Sequence, residues 1–264
     1  MMRYAVGFSV REIFISHMHA DHYLGLPGLL RTMGLQGRTE ELTVRGPADA
    51  LPDLGAALQL GGDRLGFPVR VLGLEPGDEV TFAEYRVRAF RTDHTAASLG
   101  FALVEDDRLG RFDVARALAA GVPNGPLLGR LHRGEDVELP SGTVVRAAEL
   151  VGPTRPGRKL VYSADTRPCE GLKTAAAGAD LLIHEATFSE DDAQRAVETR
   201  HSTAREAAEV AADAGVRRLV LTHFSARHSE QPGRLVAEAQ QQFPDVTAAE
   251  DGMVIEVELQ EFPV

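Results

Sequence analysis

Four ionisable side chains crowd into six residues, His17-Met-His19-Ala-Asp21-His22, immediately after an apolar, β-branched stretch at 12–16. Side chains alternate along an extended chain, so His17 and His19 face the same way, and a turn into a following helix carries Asp21 and His22 around a second point. A single histidine is more often a satisfied structural group than a ligand. Four such groups at one strand end reverse that balance, because a chain that gathers them must give them something to bind. The run therefore calls for a fold that opens its strand ends into a polar cleft, with space for two metal half-sites.

The rest of the chain supplies such strands. Segments at 42–44, 85–90, 160–163, 180–184 and 218–222 are strand-length and rich in β-branched or aromatic residues, and helical stretches lie between them, which predicts an α/β architecture. The best-marked helix starts at His201-Ser-Thr203-Ala-Arg-Glu206. Thr203 and Glu206 have capping-box spacing, alanines follow, and Gly215 is placed to end it. Three more candidate ligands, His94, Asp165 and His223, stand just past strand ends, where α/β sheets collect their binding groups. All seven candidates are nitrogen or oxygen donors. The lone cysteine, Cys169, excludes a cysteine knuckle and an internal disulfide, so the set suits Zn, Mn or Fe rather than Cu(I). Seven donors suggest two metals sharing a bridging carboxylate, and such a pair, about 3.5–4 Å apart, can generate a hydroxide nucleophile and clamp a phosphoryl or acyl oxygen.

Composition narrows the function classes. With 264 residues, 44% apolar and 25% charged, the chain is long enough for a sizeable core and unlike a disordered or fibrous sequence. No apolar run approaches the roughly 18 residues needed to span a bilayer, and the start lacks a signal-peptide pattern; both features predict a cytoplasmic protein with no membrane partner. A net charge of −11 argues against indiscriminate coating of nucleic acid. The stretch from Arg108 to Lys159 runs the other way, with nine bases (Arg108, Arg111, Arg116, Arg130, Arg133, Arg146, Arg155, Arg158, Lys159) against five acids. It opens with a short helical piece at 112–120 and continues through many Gly and Pro breakers, which predicts an excursion from the main body over 108–158. Only Lys159 and Lys173 are lysines, a bias that suits bidentate phosphate contacts or reflects codon usage.

Taken together, His17-x-His19-x-Asp21-His22 with Tyr23-Leu-Gly-Leu-Pro-Gly-Leu-Leu30, Ser163-Ala-Asp165-Thr-Arg-Pro168, His184-Glu-Ala-Thr-Phe188, His201-Ser-Thr203 and Leu221-Thr-His-Phe-Ser225 resemble ribonuclease Z. This is the tRNA 3′-processing endonuclease branch of the metallo-β-lactamase superfamily. The resemblance runs from about residue 1 to the C-terminus. It implies an αββα sandwich as one domain over 1–264, with 108–158 as an inserted exosite arm. It also implies two zinc ions per subunit, with Mn2+ as an alternative: His17, His19 and His94 on one, Asp21, His22 and His223 on the other, and Asp165 bridging. Asp21 would orient the attacking water. Glu185 would orient His201, which would give a proton to the departing O3′, leaving a 3′-hydroxyl on the tRNA and a 5′-phosphate on the trailer. The arm's Gly125-Pro126 element, with Arg130, Arg133, Arg155 and Arg158, would hold backbone phosphates of precursor tRNA. A homodimer is expected and a DNA partner is not.

Other residues read more plainly. His184 is expected to be packed beside the ligands, His132 to be either surface-exposed or a phosphate contact, Cys169 to be structural, and the acids at 105–107 and 190–192 to be solvated. His228 stands where the family usually has tyrosine. Only sixteen residues precede His17, whereas the family places a Gly-Thr-Gly turn, a second strand and an Asp-Cys-Gly-Glu loop there. Residues 1–8 resemble the helix after that loop, which suggests that the start lies further upstream and that a sheet edge is uncovered. The alternatives are another binuclear hydrolase of the same fold, acting on a small phosphodiester or lactone, and an inactive, truncated RNA-binding relative.

Overall fold

The computed structural model describes residues 9–60, 62, 65–228, 230 and 232–260; the expected helix at 1–8 lies outside them. Two compact units emerge, one from the described residues up to Val104 with Lys159–Val257, the other from Glu105–Arg158, with which 258–260 are grouped.

The first unit carries two sheets. Strands β1 (Glu12–Phe14), β2 (Leu42–Pro47) and β3 (Val69–Leu74) form an all-parallel sheet. Strands β4 (Glu79–Thr81), β5 (Tyr85–Arg91), β6 (Leu99–Glu105), β9 (Lys159–Tyr162), β10 (Leu181–Glu185), β11 (Leu219–Thr222) and β12 (Val246–Ala248) form a second, in the order β12-β11-β10-β9-β6-β5-β4. Its β9–β12 half is parallel and β6 pairs with β9 antiparallel. The two short strands β7 (Val137–Glu138) and β8 (Val144–Val145) belong to the other unit.

Helices cover both outer faces. Helix α1 (Ala20–Tyr23) leads into α2 (Gly25–Leu35), which with α3 (Leu51–Leu58) buries Leu26, Leu30, Met33, Leu54 and Leu58 against Leu42 and Val44 of the first sheet. Between the sheets, Leu74 meets Val87, Ala89, Leu99 and Phe101, and Phe14 sets its edge on the Phe101 ring at 5.3 Å. Beyond the second sheet lie α6 (Glu170–Ala176), α7 (Ala193–Thr199), α8 (Ala204–Asp213) and α9 (Gly233–Gln240). Ala204, Ala207, Ala208 and Ala211 make a small-residue stripe at helical spacing, buried in the core beneath α8. The expected capping box is present, Thr203 accepting from the Glu206 N–H while the Glu206 carboxylate accepts from the Thr203 N–H, and Gly215 follows the helix at φ 63°. This layering is the αββα sandwich expected from the sequence.

Within the second unit, α4 (Val114–Ala119) is capped by the Asp113 carboxylate, and α5 (Pro126–His132) begins on a proline. Ala117, Val122, Leu131, Val137, Leu139, Val145, Ala147 and Leu150 make a core of its own. The glycines read as breakers at 121 and 134 do occupy left-handed turns, at φ 87° and 90°, but the segment they punctuate is packed. Glu105, expected to be solvated, is instead bound by the Arg158 guanidinium, whose Nε is 2.8 Å away.

Candidate metal centre

The C-terminal ends of β1, β5, β9 and β11 meet at one place. His17, His94 and Asp165 each stand three residues beyond their strands β1, β5 and β9, and His223 directly follows β11. All seven candidate donors converge there. His17, His19, His94 and Asp165 offer donor atoms within 4.8 Å of one another, as do Asp21, His22 and His223. Asp165 touches both groups: its Oδ2 lies 3.7 Å from His17 Nε2, 3.9 Å from His94 Nε2, 3.2 Å from His22 Nε2 and 3.4 Å from His223 Nε2. His94 Nε2 comes to 3.1 Å of His19 Nδ1, and His22 Nε2 to 3.3 Å of His223 Nε2.

Hydrogen bonds behind the rings fix which nitrogen faces inward. His94 Nδ1 is 2.9 Å from the Arg200 carbonyl oxygen, which can only accept, so Nδ1 carries the hydrogen and Nε2 the lone pair. For His223 the deduction runs through Thr187. The Thr187 hydroxyl donates to Glu185 Oε2 at 2.8 Å, leaving its oxygen to accept from His223 Nδ1 at 2.8 Å; His223 Nε2 then turns its lone pair to Asp21 and His22. Ser16 Oγ holds His17 Nδ1 at 3.0 Å.

His201 Nδ1 donates to Glu185 Oε1 at 2.9 Å, and the same carboxylate accepts from the backbone N–H of Thr166 and Thr187. Sequence reading paired Glu185 with His201 but missed Thr187, Ser16 and the Arg200 carbonyl. Their only signal was proximity to a motif. Ala164, Arg200 and His223, all at the site, are the non-glycine residues with left-handed φ (54°, 56° and 57°) among the described residues. Such strain persists where surrounding contacts over-determine it.

Electrostatics sort the rings. Burial, reinforced by the neighbouring imidazoles, pushes His17 down to about 3 and lowers His94, so both stay neutral with a free lone pair. Burial works against charge on Asp165 too, yet His22, His223 and His17 hold its carboxyl at about 2. His22 and His201 lie above the ordinary histidine value, because Asp165 and Asp21 in the first case and Glu185 in the second outweigh burial.

The donor set fits divalent metal. His17 Nε2 and Asp165 Oδ1 are buried with no hydrogen-bond partner among the described residues, and neutral imidazoles facing an anionic carboxylate have nothing but a cation to share. His184 is fully buried in β10 and donates from Nδ1 to the Glu185 carbonyl, and its Nε2 is likewise buried with no partner among the described residues.

Comparison with known proteins gives the architecture a family. Residues 8–224 match the model of the β-lactamase superfamily domain. Ribonuclease Z of Myxococcus xanthus is 50% identical over 262 residues, which is 99% of this chain and 85% of that protein. The chain belongs to the ribonuclease Z family. Ribonuclease Z of Haloferax volcanii, an archaeon, is likewise 50% identical over 97% of this chain and 82% of that protein. Among solved structures, human tRNase Z, short form, superposes with a TM-score of 0.65 at 26% identity, over 98% of this chain and 83% of that one. A metallo-β-lactamase-fold protein of Bacillus subtilis (TM-score 0.61, 20% identity, 90% and 74% coverage) shares the fold.

In this ribonuclease Z relative the basic candidates of the second unit are partly engaged. Arg130 Nε and Arg133 share Glu135 at 2.8 and 3.4 Å, Arg155 Nε donates to the Leu109 carbonyl, and Arg158 binds Glu105. Gly125 precedes α5 at φ 151°, with Pro126 as its first residue. His132 is neither free nor exposed: it stacks on Phe112 and reaches the Gly110 carbonyl. No helix among the described residues is long and apolar enough to cross a membrane.

Proposed function

We propose that this chain is a zinc-dependent endoribonuclease that removes 3′ trailers from precursor tRNA, leaving a 3′-hydroxyl on the tRNA and a 5′-phosphate on the trailer. The observation that carries the reading is the meeting of seven donors around Asp165 in a chain half identical, over nearly its whole length, to proteins named ribonuclease Z. His17, His19 and His94 would hold one ion, Asp21, His22 and His223 the other, with Asp165 shared; Mn2+ suits the same donors. When bound, two such ions supply Lewis acidity, neutralising charge on a phosphoryl group and acidifying water.

The chain's own groups do the rest. Asp21, two-thirds exposed at its side chain, would orient the attacking water and accept its proton. The Glu185 carboxylate keeps His201 Nδ1 protonated and favours the imidazolium, so Nε2 carries the proton delivered to departing O3′. Gly125, Pro126, Arg130, Arg133, Arg155 and Arg158 in the second unit are assigned to the tRNA backbone, where guanidinium groups exchange their present partners for phosphate. A cytoplasmic homodimer is part of the same reading.

The test is metal titration. A chelated sample assayed on precursor tRNA should be silent and regain cleavage as Zn2+ or Mn2+ rises to two equivalents per chain. Cleavage that survives chelation with metal content at zero contradicts the proposal.

A further inference from the structure

Beyond the end of β9, three successive residues reach the candidate centre and His201. Asp165 is the carboxylate that touches both groups of donors. The Thr166 N–H donates to Glu185 Oε1 at 2.9 Å, the same oxygen that accepts from His201 Nδ1. Arg167 takes the histidine at its main chain: the Nη1 group donates to the His201 carbonyl oxygen at 2.7 Å. The metal-facing carboxylate, the anchor of Glu185 and a clamp on His201 thus follow one another in the chain.

The guanidinium is itself held in place. Its charge is met by Glu206, whose Oε2 lies 2.7 Å from Nη1 and whose Oε1 accepts from Nη2, and its side chain is only 17% exposed. One hydrogen on each terminal nitrogen serves the carboxylate, and the second hydrogen of Nη1 is the one that meets His201. Helix α8 does not need this contact for its cap, because Thr203 and Glu206 close the box between themselves. The Arg167 main chain is fixed as well, its N–H donating to the Asp93 carbonyl at 2.9 Å, while Ser202 Oγ donates to the Thr166 carbonyl at 2.6 Å. Two constraints therefore act on the imidazole: Glu185 holds the ring at Nδ1, and Arg167 holds the backbone from which the ring hangs. A proton donor has to come within about 2.6–3.2 Å of the atom it serves, and with the Glu185 bond alone the ring can pivot about Nδ1 and carry Nε2 out of that range.

We propose that Arg167 is a positioning residue for proton delivery, holding the His201 carbonyl against the loop that carries Asp165 so that His201 Nε2 stays aimed at the departing oxygen. The inference rests on the reading of His201 as proton donor and adds the residue that aims it. Arg167 acts through His201 alone, so its removal matters only where the imidazole is present and the leaving group needs a proton.

The test is a double-mutant cycle read on two substrates. Arg167→Gln and Arg167→Lys, the second keeping a cation against Glu206, are made in the unmodified chain and in His201→Ala, with zinc content and Tm recorded for each. Single-turnover cleavage of precursor tRNA by Arg167→Gln should fall on the order of tenfold with KM and zinc content unchanged, yet the same substitution in His201→Ala should change the rate by less than about twofold. The carbonyl of residue 201 is present in both backgrounds, so a bond that only braces the fold would cost the same in each. Arg167→Lys, whose ammonium lacks the planar fork, should show the same dependence on His201. On bis(p-nitrophenyl) phosphate, whose p-nitrophenolate leaves without taking up a proton, both variants should match the unmodified chain. Losses of equal size in the two backgrounds or on the two substrates, or an unmodified rate for Arg167→Gln on precursor tRNA, overturn the proposal. An unmodified rate for His201→Ala alone overturns the donor reading and the role of Arg167 with it.

Discussion

Asp165 holds the candidate centre together, since its single Oδ2 stands within 4.0 Å of five imidazoles and its Oδ1 has no partner among the described residues. Asp165→Ala should therefore lose both ions and all activity, read as zinc content by elemental analysis beside precursor cleavage. His201→Ala should separate the two readouts, keeping metal while the single-turnover cleavage rate falls about 10²–10⁴-fold, the usual weight of a proton donor. Wild-type rates would return His201 to a structural role. At this scale the sequence was informative where chemistry is local. The ligands cluster in one run or follow a strand end, and imidazoles and carboxylates are conspicuous residue types. Thr187 was illegible for the opposite reason: its hydroxyl acts by joining Glu185 to His223, residues brought together only by the pairing of β10 with β11.

Among the elements, α8 shows how a local signal becomes stability. The Thr203 hydroxyl satisfies a terminal N–H of a helix whose alanine stripe packs into the core, so Thr203→Ala should cost about 1 kcal/mol, measured by denaturant unfolding. Glu206 should cost more, because its carboxylate also binds Arg167 as well as closing the box. The ion pair at the base of the second unit gives a pH test. Arg158 holds the Glu105 carboxyl below its ordinary value, so its stabilisation is fully present above about pH 4.5 and is lost as pH falls through the lowered value. Glu105→Gln should lower Tm at neutral pH, and the difference should shrink on acidification. A gap that stays constant down to pH 3 excludes the pair as its cause.

Strand β6 shows why some elements escaped sequence reading. Gly100 interrupts an otherwise apolar segment, yet a side chain there would lie 2.2 Å from the Phe90 ring carbon, so the glycine that weakens the local pattern makes room for a cross-strand aromatic. Strand β3 was missed similarly, its Gly73 lying against Ala48 and Leu51. Both glycines serve tertiary contacts, which a local window does not contain.

For the molecule as a whole, the charge distribution and the two units frame the functional claim. The chain is acidic overall but includes a basic stretch with its own core, and three arginines of that stretch, Arg130, Arg133 and Arg158, are paired with Glu135 and Glu105, which phosphate can displace. Deleting 112–133 should raise KM for precursor tRNA about tenfold or more through lost phosphate contacts, while hydrolysis of a small phosphodiester is largely kept. Equal loss of both activities would make the segment a structural support instead. The excursion was visible in composition, but its internal packing was not, because Ala117, Leu131 and Val145 are far apart in sequence and meet only once α4, α5 and the β7–β8 pair form.

The most direct measurement is cleavage of a precursor tRNA with a 3′ trailer by this 264-residue chain in Zn2+, with both product ends mapped. The account predicts one cut, a 3′-hydroxyl on the tRNA and a 5′-phosphate on the trailer. No cleavage by a sample shown to be folded and to hold two ions, or a 3′-phosphate on the tRNA, would contradict it.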